Sequence, residues 1–87
     1  MKLLNFSASW CAPCKMFKPV LKEVTDTLAI SVEWLDIEKN EELTNKYSIR
    51  SVPTTIILDD AGYQIDIIVG TINKHELLSK LKGNTNG

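Results

Sequence analysis

The sequence is poor in the side chains that bind metals, since it has one histidine and two cysteines in 87 residues. A structural zinc site needs four such ligands, and His75 lies far along the chain from Cys11 and Cys14. A zinc ion would have to be shared between two copies of the chain. We therefore expect no metal, and we expect His75, which follows the predicted helix cap Asn73, to be exposed to solvent.

The sequence also lacks an excess of charge of either sign. It has ten basic and eleven acidic residues and a formal net charge of −1. A nucleic-acid partner or an anionic membrane surface is therefore not expected. Lys15, Lys18 and Lys22 fall on one predicted helix, where they form either a solvated face or a weakly basic rim near Cys11.

Long apolar runs and export signals are missing as well. No apolar run approaches the about 18 residues of a membrane span, and the N-terminal stretch lacks the small-residue cleavage pattern of a signal peptide. We expect a cytoplasmic protein. In a reducing compartment, two cysteines this close together serve catalysis or metal binding and not a structural bridge.

The length predicts one domain, because 87 residues leave no room for a second. A hydrophobic content of 44% supports a modest core. Residues 83–87 (GNTNG) have nothing to bury. We predict a domain over residues 1–82 with a flexible tail over 83–87, and we expect a monomer.

The pattern of apolar residues predicts strands at 2–7, 31–37, 54–59 and 63–69 and helices at 11–29, 40–47 and 73–82. One face of the first helix is predicted to be apolar and to comprise Met16, Phe17, Val20, Leu21, Val24 and Leu28. The turn residues 59–62 (DDAG) predict a hairpin of the last two strands. The fold class is therefore α/β, with a four-stranded mixed sheet and helices on both of its faces.

The two cysteines lie between the first predicted strand and helix, in residues 10–15 (WCAPCK). A helix that begins near Cys11 or Ala12 directs its free amide groups and positive dipole end at the Cys11 sulfur. This favours the thiolate, which is the nucleophile of disulfide exchange. Pro13 suits the first helical turn, and Cys14 is within reach of Cys11. The spacing predicts a two-electron thiol redox centre.

Residues 10–15, Pro19, the segment 49–54 (IRSVPT) and the Val-Gly pair at 69–70 together resemble the thioredoxin family. They occur in the family's order and near the family's spacing across residues 2–82. The resemblance implies a short, minimal thioredoxin fold, βαβαββα, of glutaredoxin-like size. It also implies an enzyme that reduces protein disulfides through its own cysteine pair, with no separate cofactor.

The resemblance assigns a role to each residue of the motif. Cys11 is implied to be the exposed attacking thiolate, and Cys14 the buried thiol that resolves the mixed disulfide. Val52 and Pro53 are implied to be joined by a cis peptide bond beside the cysteines, with the Val52 backbone pairing with a substrate strand. The implied substrate-docking residues are Trp10, Ala12, Pro13, Val52, Pro53 and Gly70.

The chain departs from the family pattern in four places. It begins at the strand that leads into the motif, so strand 31–37 is predicted to lie at a sheet edge. Asn5 stands where thioredoxins have a buried Asp, and Trp34, predicted to be a core or edge-strand residue, where they have its Lys partner. Ala12 replaces the usual Gly. With Asn5 neutral, we hypothesise that Cys14 loses its proton to water or to the substrate's leaving thiolate.

Two alternative functions fit parts of the pattern. A glutaredoxin-type enzyme would use glutathione, but residues 70–73 (GTIN) lack the second Gly and the Asp that usually hold it. A non-catalytic binding module would not need Cys11 and Cys14. The partners implied by the resemblance are disulfide-bonded proteins and a thioredoxin reductase or glutathione system that regenerates the dithiol. Ribonucleotide reductase is a candidate acceptor by family analogy alone.

Overall fold

The computed structural model describes residues 1–85, in which four strands and three helices follow one another in the predicted order. The strands are β1 (Lys2–Ser7), β2 (Ser31–Asp36), β3 (Thr54–Leu58) and β4 (Gln64–Val69), and the helices are α1 (Ala12–Thr27), α2 (Glu41–Lys46) and α3 (Lys74–Thr85). The sheet has the strand order β2-β1-β3-β4. The prediction of an α/β fold with a four-stranded mixed sheet and the order βαβαββα is confirmed.

The strand β1 lies inside the sheet, parallel to β2 and antiparallel to β3. β2 is at one edge of the described sheet, as predicted, and β4 is at the other. The β3–β4 hairpin turns at Asp59, whose Oδ1 accepts hydrogen bonds of 2.9 Å from the N–H groups of Ala61 and Tyr63. Because β1 is central, the segment that follows Ser7 leaves the sheet near its middle, where both faces are covered.

Side chains on alternate positions of β1 and β3 supply two hydrophobic clusters, one on each face of the sheet. Toward α1 and α3 the buried cluster comprises Leu3, Phe17, Leu21, Val24, Ile57, Ile68, Leu77 and Leu81. On the other face, where Leu43 of α2 packs, it comprises Leu4, Phe6, Leu35, Ile56 and Leu58. The start of α1 is therefore held by the packing of its own apolar face.

The prediction that Met16 belongs to the apolar face of α1 is wrong. Phe17, Leu21 and Val24 are buried as predicted, but Met16 is 76% exposed. At about 100° per residue, position 16 falls at the border of the stripe centred on Phe17 and Val24. The pattern identified the helix correctly but overestimated the width of its buried face.

The last helix is longer than predicted, because α3 continues to Thr85. The Asn84 side chain donates hydrogen bonds to Asp66 Oδ2 at 3.1 Å and to the Lys80 carbonyl oxygen at 3.0 Å. These bonds join the last turn of α3 to itself and to β4. The tail predicted for 83–87 is thus helical over its first three residues, and residues 86–87 lie outside the described part of the chain.

Candidate active site

Cys11 and Cys14 lie between the end of β1 and the first turn of α1. Cys11 is the N-cap residue of α1, with an extended backbone, and its Sγ accepts a hydrogen bond of 3.2 Å from the Cys14 N–H. The two Cα atoms are 5.3 Å apart and the sulfurs form a disulfide. The structure therefore shows the oxidised form of the predicted redox pair.

The first turn of α1 directs positive partial charge at the Cys11 sulfur. Its unpaired amide groups and the helix dipole point toward the N-cap position, and the turn contains no acidic residue. Pro13 lies in this turn, where a missing N–H costs no helical hydrogen bond. When the disulfide is reduced, this environment favours the thiolate of Cys11 over its thiol.

The prediction that Cys11 is exposed is wrong for this form. Cys11 is 4% exposed and Cys14 is 6% exposed. Ala8, Ile37 and Val52 pack around the pair. The closed disulfide is therefore enclosed by apolar side chains that come from three separate segments of the chain.

The loop before β3 and the end of β4 complete the site. The Val52–Pro53 peptide bond is cis, and the Val52 carbonyl oxygen lies 3.8 Å from Cys11 Sγ. The Gly70 N–H donates a hydrogen bond of 2.8 Å to the Pro53 carbonyl oxygen. Gly70 has a φ of +83°, so any other residue would be strained at this position.

Apolar residues that adjoin the two cysteines in the sequence or in space lie at the surface. We call Trp10, Ala12, Pro13 and Val52 the apolar rim. Trp10 is 68% exposed, Ala12 and Pro13 are exposed, and Val52 is half-buried and packs against the cysteine pair. Of the other two predicted docking residues, Gly70 is half-buried, and Pro53 is buried below the surface.

A cleft in the surface, which we call the Cys14 cleft, reaches the predicted resolving cysteine, Cys14. It has a volume of about 200 Å³, and its lining includes Asn5, Ser7, Cys14, Lys15, Lys18 and Asp36. Cys14 is therefore the member of the pair that the cleft connects to solvent and to charged side chains.

Asn5 and Trp34 face each other in the register of β1 and β2. Asn5 is 4% exposed and its Nδ2 donates a hydrogen bond of 3.0 Å to Thr55 Oγ1. Trp34 is 37% exposed on the edge strand, and Lys18 Nζ lies 5.1 Å from its ring centroid. Positions 5 and 34 of the paired strands therefore both carry neutral side chains. The positive charge beside Trp34 is that of Lys18, which belongs to α1.

Sequence reasoning missed two acidic residues at the site. Trp10 Nε1 donates a hydrogen bond of 3.0 Å to Glu38 Oε1, and Asp36 lines the Cys14 cleft. No local sequence pattern indicates the pairing of Glu38 with Trp10. The position of Asp36 could have been predicted, because a polar residue at the end of a strand parallel to β1 lies close to the segment that follows β1.

The described residues show no sign of a metal site or a membrane segment. Within residues 1–85, no three His, Cys, Asp or Glu side chains are grouped so that they could hold a metal ion. His75 is exposed on α3. No helix in this part of the chain is both long enough and apolar enough to cross a membrane.

A family model described as Thioredoxin matches residues 1–83. The chain belongs to the thioredoxin family. A thioredoxin of Rickettsia bellii is 37% identical over 94% of this chain and 79% of its own length. A thioredoxin of Mycobacterium tuberculosis is 40% identical over 91% of this chain and 69% of its own length. Thioredoxin Y2 of Arabidopsis thaliana, a chloroplastic protein, is 38% identical, but this chain covers only 48% of it.

Solved thioredoxin structures share the fold. A mutant thioredoxin of Halobacterium salinarum has a TM-score of 0.87 and 30% identity, over 94% of this chain and 72% of its own. Thioredoxin 1 of Thermosipho africanus has a TM-score of 0.88 over 99% of this chain and 96% of its own; at 23% identity it shows the fold alone. With its cysteine pair intact, this thioredoxin is a thiol–disulfide oxidoreductase, and the family's substrates are disulfide-bonded proteins, with a reductase to renew the dithiol.

Proposed function

We propose that this thioredoxin is a cytoplasmic, monomeric reductant of protein disulfides, with Cys11 as the nucleophile and Cys14 as the resolving thiol. The position of the Cys11 sulfur carries the proposal. It caps the N-terminus of α1, lies 3.8 Å from the Val52 carbonyl oxygen, and adjoins the apolar rim. A thiolate is favoured at this position, and a docked polypeptide could bring a second sulfur to it.

The reaction consists of two exchange steps. In the first, the Cys11 thiolate attacks a substrate sulfur; a mixed disulfide forms, the substrate's own disulfide breaks, and one substrate thiolate leaves. In the second, the Cys14 thiolate attacks Cys11 Sγ; the Cys11–Cys14 bond forms, and the second substrate thiolate leaves. Two electrons pass to the substrate, and the chain ends in the disulfide form that the structure shows.

The backbone at Val52 supports docking of an extended substrate segment. Among the described residues, neither its N–H nor its C=O is bonded to another backbone group. Both groups are free to pair with a substrate strand that places its disulfide over Cys11, in the manner of β-augmentation. The apolar rim would then contact the side chains that flank the substrate cysteine.

Trapping of the mixed disulfide tests this proposal. Cys14→Ser removes the resolving thiol, so we expect a protein substrate to accumulate as a disulfide-linked adduct that non-reducing electrophoresis detects and dithiothreitol releases. The matched variant Cys11→Ser should form no such adduct. If Cys14→Ser captures nothing, the chain is a binding module with the thioredoxin fold.

Turnover with a defined electron source tests the proposed partners. We propose that a thioredoxin reductase renews the dithiol and that ribonucleotide reductase is one acceptor, the latter by family analogy. Disulfide reduction should then proceed with NADPH and thioredoxin reductase as the only electron source. If turnover requires glutathione instead, the enzyme is coupled to glutathione in the manner of a glutaredoxin.

A further inference from the structure

The Cys14 cleft connects the resolving cysteine to a carboxylate. Cys14 and Asp36 both line it, and Asp36 is the only acidic residue in its described lining. Its volume of about 200 Å³ leaves room for several waters, since each occupies about 30 Å³ in the liquid. Cys14 and Asp36 therefore border the same water-accessible space.

Cys14 needs a proton acceptor in the second exchange step, because only its thiolate can attack Cys11. Its burial disfavours a charged sulfur, and its backbone N–H is bonded to the Cys11 sulfur and not to its own. The neighbouring Asn5 has a neutral side chain. A side-chain acceptor for the proton therefore has to be sought elsewhere in the lining of the cleft.

The Asp36 side chain is held in place through one of its two carboxylate oxygens. Its Oδ1 accepts a hydrogen bond of 2.8 Å from the Glu38 N–H. Within residues 1–85, Oδ2 accepts no hydrogen bond from protein. The backbone on both sides of the cleft is fixed, because Asp36 is opposite Ser7 in the β1–β2 register.

The charged groups around the cleft besides Asp36 come from α1 and from the segment that follows β2. Lys15 and Lys18 of α1 line it, and their positive charge favours the negative charge that forms on the Cys14 sulfur. Lys18 also lies over the Trp34 ring. Glu38 follows β2, where its Oε1 accepts the Trp10 Nε1 hydrogen, and β1 contributes the neutral Asn5.

We propose that Asp36 accepts the proton of Cys14 through water in the Cys14 cleft during the second exchange step; this rests on the proposed function. The proton leaves Cys14 Sγ for the water, which passes a proton to the Asp36 carboxylate. The resulting thiolate attacks Cys11 Sγ, and the substrate sulfur leaves with the electron pair of the mixed disulfide. Asp36 then returns the proton to solvent. The acceptor for Cys14 thus lies on β2 and not at position 5 of β1.

Asp36→Asn tests this role with little effect on the fold, since its side-chain oxygen can still accept the Glu38 N–H. The reduced protein is mixed with an aromatic disulfide whose two halves absorb light when released. The first released half reports the attack by Cys11, and the second reports resolution by Cys14. We expect the second phase of Asp36→Asn to be about 100-fold slower near neutral pH and the first phase to be unchanged.

The pH profile separates proton transfer from a structural defect. The deficit of Asp36→Asn should shrink between about pH 6 and about pH 9, where solvent deprotonates thiols unaided. Glu33→Gln is the matched control. It removes a carboxylate of β2 that pairs with Lys2 and does not line the cleft. This variant should resolve the mixed disulfide as fast as the wild type. In the Asp36→Asn background, Asn5→Asp should restore part of the rate by returning a carboxylate to the cleft.

Three results would overturn the role of Asp36. The first is a second phase of release that is as fast in Asp36→Asn as in the wild type. The second is a slowing of that phase by the same factor at every pH. The third is an equal slowing of the first and second phases of release. If the wild type itself releases no second half, the proposed function fails and not the assignment of Asp36 alone.

Discussion

A single polar pair lies between the central strands of this thioredoxin. Asn5 donates to Thr55 Oγ1 at 3.0 Å, and the two residues face each other in the β1–β3 register. Thr55 is fully buried and Asn5 nearly so. A buried polar atom that loses its partner costs about 1–3 kcal/mol, whereas replacing both partners with apolar groups is nearly neutral.

A double-mutant cycle on this pair should therefore be strongly non-additive. We expect Asn5→Leu and Thr55→Val each to lower the free energy of unfolding by about 1–3 kcal/mol, and the double variant to lose less than the sum. Urea unfolding of the oxidised proteins measures the free energy of unfolding of the wild type, the two single variants and the double variant. Additive losses would mean that the hydrogen bond contributes nothing beyond the separate side chains.

At the scale of elements, the contact between β4 and the end of α3 depends on Asp66. Burial raises the pKa of Asp66, but hydrogen bonds from the Asn84 amide, the Ile67 N–H and the Lys80 ammonium outweigh it, and the pKa lies below its usual range. The Lys80 Nζ is 3.1 Å from Asp66 Oδ2. The ionised carboxylate therefore holds the last turn of α3 against the sheet.

Removal of this carboxylate should change how stability depends on pH. Because the folded-state pKa of Asp66 is lowered, its stabilisation is present above the unfolded-state value of about 3.9 and is lost as the pH falls through the folded-state value. We expect Asp66→Asn to be about 1 kcal/mol less stable than the wild type near neutral pH. Thermal unfolding over a pH series should show the two proteins converging at acid pH.

Asp26→Asn is the matched control for this measurement. Asp26 pairs with Lys22 on the exposed surface of α1, and both side chains are more than half exposed. An exposed pair of this kind contributes little, so its removal should leave the pH dependence nearly unchanged. If Asp26→Asn and Asp66→Asn behave alike, the contact of β4 with α3 has no special role in stability.

At the scale of the whole molecule, the cluster beneath α1 and α3 holds the helices that position the site. Leu77 of α3 is fully buried in it, whereas Leu78 only packs against it. A small domain has about 5–15 kcal/mol of stability in total. The loss of one fully buried side chain from this cluster is therefore a large fraction of what keeps the chain folded.

Leu77→Ala should lower the free energy of unfolding by about 2–5 kcal/mol, and Leu78→Ala by less, because less apolar surface is involved. Urea unfolding measures both values. The rate of disulfide exchange per folded molecule should stay unchanged, since neither residue lines the site. A slowed exchange in fully folded Leu77→Ala would instead show that packing of α3 tunes the cysteine pair.

The sequence by itself determined the elements and the chemistry of this thioredoxin. Apolar periodicity and turn residues act over a few positions, so the strands, the helices and the hairpin at Asp59 could be predicted. The spacing of Cys11 and Cys14 at a strand–helix junction was sufficient to predict the redox pair, because both residues belong to one short segment. The family resemblance added the loop that contains Val52.

Tertiary structure decided which residues meet across the chain. The exposure of Met16 depended on how closely other elements cover α1, and the extension of α3 depended on a bond from Asn84 to a different element. The burial of Cys11 likewise comes from side chains of separate segments. Asp36 reached the cleft of Cys14 because β2 pairs with β1 in parallel, and two parallel strands joined through a helix meet only when the whole domain packs.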